Sequence, residues 1–311
     1  MKHDVLIVGG GTAGLSAALV LARACRRVMV VDADRPRNAP SEHLHGYLTR
    51  DGMNPGQLLD IGRSEVLEVG GEIRQGCVTA LTVEGPQRFM ARLDDGSTVE
   101  ARAVLIATGL RDELPNIAGI QEHWGKQVVH CPYCHGYEVR GTALGVVGGD
   151  NRPFSMHQAA LVRQWSHDVV FFPNTITIDP IEHQRLAARG IRIVEGQVNE
   201  VLGTGDGLDV ILANGERVRR STVFIGPRFT PAADLLHSLG CAHDDSGFPT
   251  TDSTGLTNIP GVWAAGNVND SPAQLINAAS AGSRAAIALN HHLLAYDIDH
   301  AVTGMAAQES C

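Results

Sequence analysis

Cys131 and Cys134 are separated by two residues, and His135 and Gly136 follow them directly. Two thiols at this spacing can close a small disulfide ring and open it again, which suits electron transfer by thiol–disulfide exchange. An imidazole beside such a pair can take a proton from a thiol or stabilise a thiolate, although it can also simply bind backbone. The first expectation is therefore a redox disulfide, with His135 as a candidate acid or base.

The same CxxC spacing can supply half of a zinc site. His130 and His135 flank the cysteines, but the sequence has no second CxxC and no distant HxxxH to complete a set of four ligands. The other four cysteines are scattered along the chain. We therefore expect no metal and favour the redox interpretation.

Bulk composition excludes several classes of function. The 311 residues carry 25 basic and 34 acidic side chains, a net charge of −9, without a basic cluster, which argues against a nucleic-acid partner. With 43% hydrophobic and 19% charged residues, the chain is typical of a globular protein, and its length favours two domains. No apolar run approaches the ~20 residues of a membrane span, and glycines interrupt the apolar N-terminal stretch, so we expect a cytoplasmic protein.

The N-terminal stretch has the pattern of a strand, a glycine turn, a helix and a second strand: Val5–Val8, Gly9–Gly14, Leu15–Ala24 and Val28–Val31. The turn has GxGxxG spacing, which lets the backbone approach a pyrophosphate at the helix N-terminus. The residues expected to line this cofactor site are Gly9, Gly11, Thr12, Ala13 and Gly14. Asp32 ends the second strand, where a carboxylate binds ribose hydroxyls and repels a 2′-phosphate, so the pattern predicts FAD or NAD rather than NADP.

The stretch that follows is more varied. Residues 35–55 are predicted to form a polar loop, able to fold over a cofactor, and Pro55–Val69 a helix. Alternation over Glu72–Val104 predicts an antiparallel β-meander. A buried strand then ends in the small-residue turn Ala107-Thr108-Gly109.

A second unit of the strand–turn–helix–strand kind is predicted from Ala143–Val147, Gly148–Asp150, Pro153–Trp165 and Val169–Phe172. Short strands follow within residues 191–223. Near the end, a strand runs into the turn at Gly266, and an Ala-rich helix is predicted over Ser271–Leu294, with Ser271 as its cap. The tail from Asp297 has a weak pattern.

The ordered set of motifs resembles the low-molecular-weight thioredoxin reductases over nearly the whole chain. These are the GGGTAG turn, the Ala-Thr-Gly turn, the CxxC in a second nucleotide domain, and the VWAAG turn. The resemblance implies an α/β fold with two Rossmann-like domains: a discontinuous FAD domain of residues 1–112 and 246–311, and an NADPH-type domain of residues 113–245 that carries the CxxC. It also implies a homodimer.

The resemblance adds further FAD contacts to those of the first glycine turn and Asp32. They are Ala107, Thr108, Gly109, Gly266, Asn267, Gln274 and Leu275. The last two lie at the start of the C-terminal helix, whose positive end would favour an anionic reduced flavin.

Departures from the reductase pattern concentrate in the second domain. The second glycine turn should read GxGxxA, but Asp150 places a carboxylate where a pyrophosphate would rest, and Pro153 replaces a small residue. The basic cluster that grips the 2′-phosphate of NADPH is replaced by Pro173-Asn174-Thr175. Because two anion-binding devices are missing, we expect poor NADPH affinity.

One branch of the family shares these departures: the thioredoxin-reductase-like dithiol oxidases, which close the disulfides of natural products such as gliotoxin, holomycin and romidepsin. The run Cys131–Tyr137 and the upstream segments Asn38–Pro40 and His43–Tyr47 are similar to that branch, with the bacterial holomycin type closest and the romidepsin type next. This resemblance implies FAD-dependent oxidation of a small dithiol, with dioxygen as acceptor and hydrogen peroxide as product. Cys131 would be attacked first, and Cys134 would face the flavin.

Other assignments stay open at this point. His43 or His45 can replace His135 as the base, and Tyr133 can pack on substrate or fill space. An NADPH-dependent reductase would need other residues, such as Arg152 or Arg163, to bind the phosphate of the nucleotide. A flavin-bearing redox sensor and a ferredoxin–NADP reductase-like enzyme are further alternatives, the latter disfavoured because those relatives lack this CxxC.

Overall fold

The computed structural model describes residues 2–309, which form two compact units. Of the described residues, the first unit contains 2–39, 55–111 and 230–309. The second contains residues 40–54 and 112–229. This division differs from the expected one in two places. The chain returns to the first unit at residue 230 rather than 246, and loop 40–54 belongs to the second unit.

Both differences have a packing reason. Ala233 and Leu236 are fully buried in a hydrophobic core of the first unit, so the segment that carries them belongs there. In the second unit, Pro40 lies so close to Gly125 that a Cβ on the glycine would come within 2.5 Å of the proline side chain. Loop 40–54 therefore packs onto the second unit.

The strands, in chain order, are β1 His3–Val8, β2 Val28–Asp32, β3 Glu72–Gln75, β4 Val78–Gly85, β5 Arg88–Leu93, β6 Thr98–Ile106, β7 Leu110–Glu113, β8 Val128–Val129, β9 Leu144–Val147, β10 Val169–Phe172, β11 Arg192–Ile193, β12 Val198–Gly203, β13 Leu208–Leu212, β14 Arg217–Arg220, β15 Thr222–Ile225, β16 Arg228–Pro231 and β17 Val262–Ala264. The helices are α1 Thr12–Arg23, α2 Pro55–Glu68, α3 Ile120–His123, α4 Pro132–His135, α5 Arg152–Val162, α6 Pro180–Ala188, α7 Asp234–Ser238 and α8 Leu275–Glu309. A single 3₁₀ turn spans Gly266–Val268.

The sheet of the first unit has a parallel part in the order β3-β2-β1-β6, and β17 pairs parallel with β6. The antiparallel strands β5 and β4 extend it. All six residues of β1 are buried, as expected for a strand covered on both faces. Because the paired strands are parallel, the turns that follow β1, β2, β6 and β17 lie at the same edge of the sheet.

The second unit has its own parallel sheet, in the order β11-β10-β9-β15-β8. A separate antiparallel sheet, β12-β13-β14, accompanies it. The central strands β9, β10 and β15 are buried throughout. Two parallel sheets with crossover helices confirm the α/β fold with two Rossmann-like units.

The predicted meander over residues 72–104 was only partly right. The turns near residues 85 and 96 join β4, β5 and β6 in an antiparallel ribbon. However, β3 pairs parallel with β2, and β6 continues as the predicted buried strand. The first half of the long strand β6 thus pairs within the antiparallel ribbon, and its second half pairs within the parallel sheet.

The C-terminal helix starts later and ends later than predicted. It begins at Leu275, so Ser271 is not its cap, and it continues past Leu294 to Glu309. The later half of α8, where the sequence pattern is weak, is held by Asp297, which forms ion pairs with Arg26 at 2.8 Å and Arg102 at 2.5 Å. Within residues 2–309, none of the helices combines the length and apolar content that a membrane crossing requires.

Candidate active site

The two cysteines of the CxxC motif are joined in a disulfide, with their Cα atoms 5.3 Å apart. The short helix α4 brings them together: Cys131 precedes it as the N-cap, and Pro132 supplies the fixed φ of its first position. The amides of Cys134 and His135 both donate to the carbonyl of Cys131 at 3.2 Å. One helical turn therefore closes the ring that the spacing predicts.

Around α4, four polar residues follow the spacing i, i+3, i+4 and i+7. They are Cys131, Cys134, His135 and Glu138. Gly136 keeps helical dihedral angles after α4 (φ −67°, ψ −32°). Cys131 has extended dihedral angles (φ −102°, ψ 108°) and Glu138 follows α4, but the disulfide joins Cys131 to Cys134 and the charge of Glu138 acts on His135, so the four residues lie near one another. We call these four residues the redox face.

His135 is half-buried, and both of its ring nitrogens are shielded from solvent. Within residues 2–309, neither nitrogen has a hydrogen bond of ordinary geometry. Burial lowers the pKa of His135, since the imidazolium loses hydration, and the charge of the nearby His45 lowers it further. The Cys131 backbone and Glu138 raise it but do not offset the burial. A neutral imidazole at neutral pH is the form that accepts a proton.

His45 reaches the redox face from loop 40–54. Its Nε2 lies 3.6 Å from a carboxylate oxygen of Glu138, and its Nδ1 lies 3.3 Å from a carboxylate oxygen of Asp51. The Gly46 amide donates to the other oxygen of Asp51 at 2.8 Å. These bonds lower the pKa of Asp51, with the Gly46 amide as the main cause. The loop thus holds an imidazole between two carboxylates.

His43 has a different setting. Its Nδ1 is 3.1 Å from the carbonyl oxygen of Gly52, within its own loop, and its ring centre is 6.5 Å from that of His45. Of the two loop histidines that the sequence marked as candidates, His45 is therefore the one that contacts the redox face.

Tyr133 and Tyr137 present exposed rings beside the disulfide, each with 64% of its surface accessible. The Tyr133 ring meets the Trp165 ring edge-on, with centroids 5.8 Å apart. The Arg140 guanidinium lies 3.8 Å from the centroid of the Tyr137 ring. An apolar surface of this kind, next to a reactive sulfur, is open to a small ligand.

In the first unit, the glycine turn after β1 has the shape of a phosphate cradle. A Cβ on Gly14 would come within 1.9 Å of the Gly9 carbonyl oxygen, and one on Gly9 within 2.4 Å of the Ala107 carbonyl oxygen. A Cβ on Gly11 would meet no atom within 4 Å, so the space above this residue is open. Gly11 caps α1 without a side chain, which leaves the first amides of the helix available to an anion.

Asp32 lies directly beside this cradle. A Cβ on Gly10 would come within 2.5 Å of its carboxylate. Arg63, from α2, holds the carboxylate through a contact of 3.3 Å and binds Asp34 at 2.8 Å and Asp60 at 2.9 Å. The position suits hydrogen bonding to ribose, and Arg63 keeps the carboxylate in place.

The other predicted cofactor residues follow neighbouring strands of the same sheet. The Thr108 hydroxyl, after β6, donates to the Ala232 carbonyl at 2.7 Å, so it fixes its own turn. Gly266, after β17, adopts φ +82° and approaches Ala13, to whose side chain an added Cβ would come within 2.9 Å. Thr12 is the first residue of α1, and the structure brings its helix together with the turns after β6 and β17.

Asn267 explains why α8 starts late. Its amide nitrogen donates to the carbonyls of Ala273 at 2.9 Å, Asp270 at 3.1 Å and Ser271 at 3.2 Å. The segment before α8 is therefore folded around this side chain rather than into the helix. Gln274 precedes the helix and Leu275 is its first residue. An aspartate at 267 could not donate these bonds, because a carboxylate only accepts them.

In the second unit, the corresponding turn is closed by the protein itself. The Gly149 amide donates to the Ser155 hydroxyl at 3.2 Å, and the Phe154 amide donates to the Asn151 side chain at 3.1 Å. Pro153, in the first turn of α5, has no amide hydrogen. These helix-start donors, which would bind a pyrophosphate, are engaged or absent.

The groove next to that turn is occupied as well. Asn174, in a left-handed conformation (φ +58°), donates to the Gly148 carbonyl at 3.0 Å and accepts from the Val198 amide at 2.9 Å. Arg152, a candidate phosphate grip, instead forms an ion pair with Glu182 at 2.5 Å.

Arg163, the other candidate grip, is also committed to the protein. It donates to the carbonyls of Arg189 at 2.7 Å and Ser166 at 3.1 Å, and it contacts His167 at 2.9 Å. Neither arginine is thus free to meet a phosphate in this arrangement.

A family model described as pyridine nucleotide-disulphide oxidoreductase matches residues 3–282. The chain belongs to this family. The oxidoreductase is 47% identical to HlmI, whose crystal structure aligns with a TM-score of 0.95 over 99% of this chain and 97% of HlmI. It is 30% identical to thioredoxin reductase aclD of Aspergillus oryzae, over 91% of this chain and 94% of the relative. It is 28% identical to thioredoxin reductase sirT of Leptosphaeria maculans, over 95% of both.

The oxidoreductase is therefore thioredoxin-reductase-like, as the ordered motifs predicted, and its cofactor is FAD. The residues present fit this group. The cradle at Gly11 is open where a side chain would obstruct a pyrophosphate, and Asp32 is fixed beside it. Among residues 2–309, no cluster of three or more His, Cys, Asp or Glu side chains has an arrangement that could hold a metal ion.

Sequence reasoning missed several residues of this oxidoreductase's site. Asp51 and Glu138 flank His45, and Ser155 closes the second glycine turn. Asn151 was recognisable, because an asparagine directly before a proline-containing first helical turn is a cap signal. The partners of His45 had no local signal, since the loop and the redox helix are far apart in sequence.

Proposed function

We propose that this oxidoreductase converts a small-molecule dithiol into an intramolecular disulfide, with dioxygen as the final electron acceptor and hydrogen peroxide as product. One observation carries the proposal. The unit that bears the Cys131–Cys134 disulfide has engaged the amides of its own nucleotide turn with Asn151 and Ser155. Electrons are thus expected to enter from a dithiol rather than from NADPH, in natural-product biosynthesis or self-protection.

The reaction at the protein sulfurs balances as a thiol–disulfide exchange. A substrate thiolate bonds to Cys131, the Cys131–Cys134 bond breaks, and Cys134 leaves as a thiolate. The second substrate thiolate then attacks the substrate sulfur bound to Cys131, so the substrate disulfide forms and Cys131 leaves with its electrons. The glycine turn around Gly11, Asp32 and the turn at Gly266 would hold FAD, which would supply a two-electron acceptor for the reduced cysteines and a donor to dioxygen.

His135 is the proton acceptor in this scheme. It is placed on the redox face with both sulfurs, and its burial favours the neutral imidazole. Deprotonation of the substrate thiol matters because the thiolate, not the thiol, is the nucleophile. His43 is a poorer candidate, since its ring nitrogen is bound to its own loop.

Two other functions are weaker. The names of aclD and sirT support a disulfide reductase, but Arg152 and Arg163 make ion pairs and hydrogen bonds within the protein and supply no phosphate grip. A non-catalytic redox sensor would not need a half-buried imidazole with a lowered pKa next to its disulfide.

Anaerobic reduction followed by oxygen addition tests the proposal. The purified yellow protein is mixed with dithiothreitol in one experiment and with NADPH in another, and the flavin absorbance is followed. We expect rapid bleaching with the dithiol and very slow bleaching with NADPH, then recovery of colour and formation of hydrogen peroxide when oxygen is admitted. Fast bleaching by NADPH alone would favour the reductase, and bleaching by neither would favour the sensor.

We further propose that two copies of the chain associate through α8. Six large apolar side chains along the described part of this helix are exposed: Ile276, Ile287, Leu294, Ile298, Val302 and Met305. Their burial between two copies would remove them from water. Light scattering coupled to gel filtration of a Leu294→Arg, Ile298→Arg variant tests this, and a dimer that is unchanged by both substitutions would contradict it.

A further inference from the structure

Gln158 is a fully buried polar side chain on α5, one turn before the end of that helix. Its Nε2 donates to the carbonyl oxygen of His130 at 2.6 Å and to that of Ile225 at 3.3 Å. Because a carbonyl oxygen only accepts, both amide hydrogens are used and the orientation of the amide group is fixed. One nitrogen thus joins two separate segments of the second unit.

The two carbonyls lie where neighbouring strands separate. The strands β8 and β15 pair in parallel, and their ladder ends at Val129 and Phe224. His130 and Ile225 are the next residues on the two strands. Gln158 therefore holds the two chains together just beyond the ladder, at the point where one of them leaves the sheet for the redox helix α4.

The bond to His130 bears directly on the disulfide. The carbonyl of His130 belongs to the peptide bond that joins it to Cys131, so Gln158 restrains the backbone immediately before the first cysteine. After α4, a Cβ added to Gly136 would come within 2.7 Å of the Trp165 ring, so the chain is closely packed there as well. The segment that carries the disulfide is thus held at both ends by residues outside it.

The amide oxygen of Gln158 indicates a role beyond packing. This Oε1 is buried and has no hydrogen-bond partner within residues 2–309. A buried acceptor without a partner lowers stability, and an apolar side chain of similar length would avoid that cost. Stability alone therefore does not explain an amide at this position, whereas the two bonds of its nitrogen do.

We infer that Gln158 is a positioning residue that holds Cys131 opposite Cys134. It acts through the peptide bond before Cys131 rather than through either sulfur. When the pair is reduced, the restraint keeps the two thiols close together, which favours closure of the disulfide ring. The inference rests on the proposed function, in which this disulfide must form again in every turnover, and it names the residue that makes its formation more favourable.

The equilibrium between the protein disulfide and glutathione tests the inference. The holoenzyme is incubated without oxygen in glutathione buffers of graded ratio, its free thiols are alkylated, and the reduced fraction of the Cys131–Cys134 pair is measured by mass spectrometry. At each ratio, two glutathione molecules become one glutathione disulfide as the cysteine pair gains two electrons and two protons.

The main variant is Gln158→Met, which keeps the length of the side chain and removes both donors. We expect its equilibrium constant to shift about fivefold toward the dithiol, the factor that corresponds to one ordinary hydrogen bond. A shift of this size equals about 20 mV in the reduction potential of the pair.

Ser155→Ala is the matched control, at a buried polar residue of the same helix. The Ser155 hydroxyl donates to the Asn151 carbonyl at 3.0 Å and accepts from the Gly149 amide at 3.2 Å, so its bonds belong to the glycine turn. We expect this variant to lose thermal stability while it keeps the equilibrium constant of the parent protein. A general loosening of the unit would instead change both variants alike.

Gln158→Glu provides a second variant. Burial favours the protonated carboxyl group, which can donate one hydrogen bond instead of two, so we expect a smaller shift in the same direction. Bound FAD and the melting temperature show whether each variant is folded.

Several results would overturn the inference. They are a parent-like constant or a shift toward the disulfide in both Gln158 variants, an equal shift in Ser155→Ala, and failure of both Gln158 variants to fold, which would leave the residue a role in stability alone. Failure of the proposed function is distinct, because the flavin of the parent protein would then not be bleached by dithiothreitol. The glutathione equilibrium does not depend on where the electrons go next.

Discussion

Both units of this oxidoreductase contain a strand–turn–helix motif, but the helix start is open in the first unit and closed by side chains in the second. At the start of α1, Gly11 caps the helix without a side chain and the space above it is open. At the start of α5, Asn151 caps the helix, Ser155 binds the turn and Pro153 removes a donor. A helix start binds phosphate only while its amides are unoccupied, so a few side chains decide whether this fold holds a nucleotide.

The second unit thus keeps the scaffold of a nucleotide domain while its chemistry lies on α4. What remains useful is this short helix, which carries Cys134 and His135 and brings Cys134 to Cys131 for the disulfide. The same separation of scaffold from site is common among α/β folds. Substitutions in the two turns and on the redox face can separate these roles.

The largest effect is expected from Cys134→Ser. Loss of the disulfide should reduce dithiol turnover by about 1,000-fold or more, because no exchange partner remains, while FAD stays bound in the first unit. Oxygen consumption and flavin absorbance measure the two outcomes. Cys25→Ser, at an exposed free cysteine, is the control and should retain activity. Oxygen consumption at the parent rate in Cys134→Ser would remove the second unit from the reaction.

The next effect concerns the open turn of the first unit. Gly11→Val places a side chain where the protein leaves space, so the apoprotein should fold while its FAD affinity falls about 100-fold, as the pyrophosphate is displaced. Fluorescence titration of the apoprotein with FAD gives the affinity. Gly149→Ala, in the closed turn, should leave FAD affinity unchanged. Equal losses in both variants would contradict the contrast between the turns.

A smaller effect is expected from His135→Gln. Without the proton acceptor, flavin reduction by dithiothreitol should slow by about 10- to 100-fold. Because burial lowers the pKa of His135, the parent rate should stay high at neutral pH and fall only as the pH drops below 6.5, when the imidazole gains its proton. Stopped-flow rates across pH check this. The variant should lack that inflection, and a parent inflection above 6.5 would refute the role of burial.

The smallest effect concerns stability of the closed turn. Asn151→Ala removes the side-chain cap of α5 and should lower the free energy of unfolding by about 1 kcal/mol, as measured by urea denaturation. FAD content and dithiol turnover should be unchanged. The start of α1 has no side-chain cap, and we expect bound FAD to satisfy its first amides instead. Addition of FAD to the apoprotein should therefore raise the melting temperature. A rise in NADPH affinity of Asn151→Ala to reductase levels would show that this cap alone closes the site.

Sequence patterns predicted the parts of the molecule whose causes are local. Buried strands such as Val169–Phe172 are continuous apolar runs, and the turn Gly9–Gly14 is forced by sterically required glycines. The disulfide follows from the spacing of two cysteines on one helical turn. Each of these signals is contained in a few consecutive residues.

Features that depend on distant contacts could not be predicted in this way. The start of α8 is delayed because Asn267 binds three carbonyls of the preceding segment, and its later half is held by Arg26 and Arg102 through Asp297. The assignment of loop 40–54 to the second unit depends on packing of Pro40 against Gly125. In neither case does a local pattern indicate the partner.

The chain order of the first unit has a consequence for synthesis on the ribosome. α1 packs so closely against α8 that a Cβ added to Gly282 would lie only 2.0 Å from the Ala13 carbonyl oxygen. The strand β17 completes the parallel sheet beside β6. Both partners are translated after the entire second unit. The nascent chain therefore exposes the apolar side of α1 while the second unit is being made, and domains translated early fold before later ones. We therefore expect the flavin site to be complete only after β17 has been translated, because Gly266 and Asn267, which are expected to contact the cofactor, follow that strand.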